Sequence, residues 1–263
     1  MPIGSGLALA FVILVTPTVV LKEPAAAQQI TIAAASDLNF VLEELARKFE
    51  KQTGNKVRIS FGSSGNFFAQ IQNGAPYDLF FSADIDYPRR LEQSGLAEPG
   101  TLYRYAIGKL VLWVPKQSKI DVERGLPALL DAGVGKIAIA NPAHAPYGRA
   151  AVAALKREKV YDRISGKLVY GENISQTAQF VLTGNADAGI IALSLAMSPA
   201  MQAKGRVFGV PQADYPRLDQ AAVILRSSRN KQVARQFLDF IKTPASLEVM
   251  KKYGFAMPDG DKR

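Results

Sequence analysis

Serine, tyrosine and asparagine recur at one kind of place in this 263-residue sequence, where a short apolar run gives way to a helical pattern. Residues 30–34 lead into Ser36, and residues 56–61 lead into Ser63 and Ser64. Residues 136–140 run through Asn141-Pro142-Ala143-His144-Ala145-Pro146 into Tyr147, and residues 167–170 run into Asn173, Ile174 and Ser175. A helix leaves its first backbone N–H groups without intrahelical acceptors, and its dipole makes that end electropositive. Four such ends, with hydroxyls beside them, can hold an oxyanion without any charged side chain. A lone serine at such a junction is a plain N-cap. The repetition at four strand ends is what favours an anion site.

Other chemistries find less support. The chain has no cysteine and a single histidine, which excludes thiol catalysis, disulfides and Cys-ligated metal centres. A resident metal site would have to be all-oxygen. Gly133-Val134-Gly135-Lys136-Ile137-Ala138 matches G-x-G-x-x-A, but it follows a helix and enters a strand, the reverse of a dinucleotide fingerprint. His144 sits in a strand-to-helix loop and receives no catalytic role, and the Gly62–Gly65 segment does not satisfy G-x-S-x-G. Asp84 with Asp86, and Asp37 with Glu43 and Glu44, could act as paired acids; first-turn carboxylates that offset a helix dipole are the simpler reading. The net charge of +9, from 32 Lys+Arg against 23 Asp+Glu, invites an anionic partner, yet the cations are scattered and not interleaved with aromatics as in a strand-binding groove.

Strands are expected at 30–34, 56–61, 78–82, 109–114, 136–140, 167–170, 188–191, 207–210 and 220–225. Helices are expected at 39–52, 66–72, 86–93, 122–131, 148–158, 175–183, 231–241 and 245–251. Alternation of this kind implies α/β layers with mainly parallel sheets flanked by helices. Some nine strands suit two lobes better than one, and no floppy linker separates them. Loops at the carboxyl ends of such strands gather at one crevice. At the N-terminus, the apolar run 7–21, a polar break at Lys22-Glu23-Pro24 and then Ala25-Ala26-Ala27 read as a secretory signal cut after Ala27, although residues 1–6 carry no Lys or Arg. The mature chain is then expected in the periplasm.

With these residues in view, the chain resembles the periplasmic molybdate-binding proteins of ABC transporters over nearly its whole mature length. The resemblance rests on Ala33-Ala34-Ala35-Ser36, Phe61-Gly62-Ser63-Ser64, the eleven residues from Gly74-Ala75-Pro76-Tyr77 to Asp84, the segment from Asn141 to Gly148, and Lys252-Tyr253-Gly254-Phe255. It implies a two-lobe, type II periplasmic binding protein fold, with lobe one formed by residues 28–105 plus 219–263 and lobe two by 106–218. It also implies molybdate or tungstate held in the cleft by Ser36, Ser64, Tyr147 and Ile174, with Asp37 and Ser63 as weaker candidates and molybdenum present only as the oxyanion. No enzyme activity and no cofactor are implied. The partner is an inner-membrane ABC permease with its ATPase; nucleic acid is not expected, and the protein is expected to be a monomer. A tyrosine hydroxyl that some relatives carry after the fourth site falls here on Ala192, leaving Tyr147 or the Asp37 backbone to replace it. Asp37 is expected to turn its carboxylate outward, because an inward carboxylate would favour hydrogenphosphate, whose proton needs an acceptor. A sulfate, phosphate or phosphonate receptor of the same fold is the alternative.

Overall fold

The computed structural model describes Met1 and residues 27–258; the apolar run read as a signal lies outside the described residues. Ten strands form two five-stranded sheets: β1 (Gln29–Ala35), β2 (Lys56–Gly62), β3 (Leu79–Ser82), β4 (Tyr103–Gly108) and β10 (Leu218–Ile224) in the first, and β5 (Leu110–Pro115), β6 (Ile137–Ala140), β7 (Leu168–Gly171), β8 (Ala188–Ala192) and β9 (Gly205–Gly209) in the second. Among the described residues, ten α-helices cover them: α1 (Asn39–Thr53), α2 (Ser64–Gln72), α3 (Asp86–Gln93), α4 (Pro146–Arg157), α5 (Tyr161–Ile164), α6 (Ile174–Leu182), α7 (Leu193–Ala196), α8 (Pro199–Lys204), α9 (Lys231–Ile241) and α10 (Pro244–Lys252).

The strand orders, β2-β1-β3-β10-β4 and β7-β6-β8-β5-β9, are the same arrangement used twice. In each sheet three strands run parallel, and the fourth is antiparallel to both of its neighbours. That reversed strand is the one entering from the other lobe: β5 follows β4 across Lys109, and β10 follows β9. The two lobes are therefore joined by strand crossings. Crossings of this kind can act as a hinge, and the arrangement points the carboxyl ends of β1, β2, β6 and β7 at a common gap.

Strand alternation builds the cores. In β1, Ile32 and Ala34 face α1 and α9, where Leu42, Phe49 and Phe237 pack, while Ala33 faces Phe67 and Phe68 of α2. In β3, Phe81 joins the first layer and Phe80 the second. The second lobe buries Trp113, Ile139, Leu155 and Ile190 in one cluster. Two local expectations give way. Residues 122–131 form two short 3-10 turns, Val122–Arg124 and Leu126–Leu130, because Gly125 at φ 65° breaks the pattern between them. The stretch before residue 109 is itself a strand, β4, so that β4 and β5 are separated by Lys109 alone.

Candidate functional site

The four junctions meet. Ser36 opens a 3-10 turn (Ser36–Leu38) that leads into α1, Ser64 is the first residue of α2, Tyr147 the second of α4, and Ile174 the first of α6. Together with Ala35, Asp37, Gly62, Ser63, Ala83, Ala145 and Pro146 they line one pocket of about 190 Å³, against 840–1000 Å³ for the larger surface hollows. This pocket is walled by helix starts from both lobes. No Lys or Arg lines it. Among the described residues, no three His, Asp or Glu side chains are clustered as a cation site.

The hydroxyls differ in what they can offer. Ser64 is buried, and its Oγ accepts the Ala83 N–H at 3.0 Å, so its own proton is left to be donated. Ser36 Oγ donates to Asn173 Oδ1 (3.1 Å) and accepts the Ser175 N–H (3.2 Å), tying the first lobe to the start of α6. Asn173 in turn caps α6 by accepting the Gln176 N–H at 3.0 Å. Ser63 Oγ lies 2.9 Å from His144 Nδ1, and the His144 carbonyl accepts the Gly65 N–H at 2.9 Å. His144 is thus a brace between the lobes. Gly65 must be glycine here, since a Cβ would sit 2.7 Å from the His144 oxygen and 2.9 Å from the Tyr87 hydroxyl.

Asp37 departs from expectation. It is only 1% exposed, and its carboxylate turns inward: Oδ2 accepts from Gln220 Nε2 (2.6 Å) and from the Tyr147 hydroxyl (3.0 Å). Gln220 Nε2 also donates to the Tyr147 oxygen (3.1 Å), and the Tyr105 hydroxyl donates to Gln220 Oε1 (2.8 Å), which fixes the amide's orientation. An outward turn would have given the charge water; the inward turn gives it three buried polar neighbours instead. Burial outweighs these hydrogen bonds and pushes the Asp37 carboxyl up from 3.8 to about 7. Burial, with Asp37 nearby, likewise raises Tyr147 well above a normal phenol.

The Tyr147 hydroxyl is therefore committed to Asp37, and does not replace the donor missing at Ala192. That strand end is served differently: Ser194, two residues on, donates to the Asp37 carbonyl at 2.7 Å. Ser194, Gln220 and Tyr105 escaped the sequence reading. Gln220 alone carried a signal, an amide inside the otherwise apolar run 220–225. Gly108 packs against the same cluster, since a Cβ there would overlap the Tyr147 hydroxyl and lie 2.7 Å from Gln220 Nε2.

At the mouth, Arg149 on α4 reaches across to Asp84 and to the Tyr87 hydroxyl (3.2 Å), and Asn66 donates to Glu172. The lobes are thus hydrogen-bonded around the pocket on both sides.

Comparison with known proteins bears on the fold and the family. Residues 30–256 match the family described as bacterial extracellular solute-binding protein. The molybdate-binding protein ModA of Rhodobacter capsulatus is 39% identical over 232 residues, covering 88% of this chain and 90% of that protein. Its namesake in Azotobacter vinelandii is 40% identical over 234 residues, covering 89% and 92%. The solved structure of the Azotobacter vinelandii periplasmic molybdate-binding protein superposes with a TM-score of 0.83 at 37% identity, covering 88% of this chain and all of that one.

Proposed function

This chain belongs to the family of bacterial extracellular solute-binding proteins, and we propose that within it the chain is the periplasmic molybdate-binding component of an ABC transporter, with tungstate as a second cargo. It is a transport protein and not an enzyme; the oxyanion is its load and no cofactor takes part. The observation that carries this reading is a small pocket without cations, walled by the starts of four helices from two lobes. Molybdate and tungstate are dianions at neutral pH that need donors only, and first-turn N–H groups, with a hydroxyl such as that of Ser64 whose proton is left to be donated, supply them.

The anion meets Ser36 and Ser64 on the lobe of the first sheet, then the backbone N–H groups of Tyr147 and Ile174 on the lobe of the second as the hinge strands close. Asp37 contributes from the same turn as Ser36. Ser63 contributes its place in the wall, with its hydroxyl held by His144. The closed monomer then docks on the permease, whose ATPase drives release. Export through the signal ending at Ala27 places the capture step outside the cytoplasm. Among the described residues, no helix is long and apolar enough to cross a membrane. The net charge of +9 acts at a distance, raising the capture rate of a dianion in a salt-dependent way.

Thermal unfolding with an oxyanion panel tests the assignment. A ligand present at about a thousandfold over its dissociation constant stabilises by ~4 kcal/mol. Molybdate and tungstate should raise the midpoint together, and sulfate and phosphate should not; equal stabilisation by sulfate or phosphate overturns the reading.

A further inference from the structure

Asp37 lines the pocket, yet it is an acid in a place where only donors are wanted. Its two oxygens are in different situations. Oδ2 already accepts two hydrogen bonds, from Gln220 and Tyr147, whereas Oδ1 is buried with no partner. Gln220 cannot turn to serve Oδ1 without giving up the Tyr105 hydroxyl that holds its Oε1. A proton on this carboxyl therefore belongs on Oδ1, the oxygen without a donor.

We propose that Asp37 binds the dianion as a neutral acid, with Oδ1–H donating to an oxyanion oxygen, so that capture requires one proton on this side chain. The inference rests on the molybdate reading of the pocket. A protonated Oδ1 without an acceptor is a buried, unpaired donor, which the anion satisfies. An ionised Oδ1 would set a negative charge against a dianion in a buried place. The proton balance is simple: where Asp37 is ionised before binding, one proton from solvent is taken up and forms the Oδ1–H bond, and release of the anion returns it.

The groups facing Asp37 are neutral. They are Tyr147 from α4, Gln220 from β10, Tyr105 from β4 and Ser194 from α7. Both phenols are raised by burial and by Asp37 itself, so they stay protonated over the range that matters. The Asp37 carboxyl, pushed up to about 7 by burial, changes state within the physiological range. His144, with Glu172 3.6 Å from its Nε2, stands at the Ser63 edge of the pocket and is the other titratable side chain to control for. The acid also bears on selectivity. An ionised Oδ1 would accept the proton of hydrogenphosphate, so a neutral Asp37 is what keeps a protonated oxyanion disfavoured.

The test is calorimetric titration of molybdate into the full mature protein between pH 6 and 9, in buffers of different ionisation enthalpy, beside Asp37→Asn and His144→Asn. The expected wild-type affinity is flat on the acid side and then weakens toward tenfold per pH unit above about 7, with uptake approaching one proton. Asp37→Asn, which keeps a donor in place of Oδ1–H, should bind with no such slope, and His144→Asn should keep the slope. A flat wild-type profile or a slope that survives Asp37→Asn overturns the proposal while leaving anion capture in place. No molybdate binding by any of the three proteins at any pH overturns the molybdate reading itself, and this inference with it.

Discussion

At the back of the pocket, Asp37, Tyr147, Gln220 and Tyr105 meet out of reach of water; at its mouth, Arg149, Asp84, Tyr87, Asn66 and Glu172 join the same two lobes through partly exposed contacts. Both seams bridge the lobes with polar groups, but the energetics differ. In the buried seam each hydrogen bond replaces water that cannot return, so a misplaced atom or charge is costly. At the rim, water and salt substitute readily for a lost contact. The inner seam should therefore govern proton state and fold, and the rim the ease of closure.

Four substitutions separate the two seams. The largest effect is expected from the buried charge. Between 3.8 and about 7 the native state holds a proton on Asp37 that the unfolded chain has released. Native stability then falls as pH rises through that window, by about 4 kcal/mol, and stays lower above it. Asp37→Asn should lack this fall. Denaturant unfolding of both proteins at several values from pH 4 to 7.5 reads the difference, and parallel curves would show that Asp37 is ionised throughout. Next, Gly108→Ala forces a methyl into the Tyr147–Gln220 contact and should cost about 1–3 kcal/mol in the same assay. Gly65→Ala acts at the rim instead: the lobe should fold normally while molybdate affinity drops about tenfold or more, because the clash with His144 exists only when the lobes are together. Arg149→Ala should be smallest, under about 1 kcal/mol in binding and vanishing in high salt, since the side chain is 41% exposed. A rim variant that outweighs Gly108→Ala would reverse the ranking of the two seams.

The same contrast separates what could be read in the sequence from what could not. Ser36, Ser64, Tyr147 and Ile174 were legible because each follows a strand and begins a helical turn, a local pattern that needs no knowledge of partners. The direction of Asp37 was not. Its partner Gln220 lies 183 residues away, and Tyr147 is 110 away; both meet it only because β10 returns to the first sheet and the lobes come together. A first-turn aspartate read locally points to solvent and the helix dipole, and tertiary packing overrode that preference. The alternation of strands and helices gave the layers, but the reversed strand in each sheet depended on the crossings. β4 was hidden because only Lys109 separates it from β5. The 3-10 turns at 122–130 replaced a helix because Gly125 takes a positive φ there.

Donors at the helix starts are proposed to hold the oxyanion between the lobes, and Ser64 is the cleanest place to strike. Its Oγ accepts from the Ala83 N–H, and among the described contacts its proton has no acceptor. Titration of molybdate into wild type and Ser64→Ala at pH 6.5, with circular dichroism to check that both are folded, should show the variant at least about tenfold weaker, in line with the ~1.5–3 kcal/mol of a hydrogen bond to a charged group. Equal affinity in the two folded proteins would contradict the account.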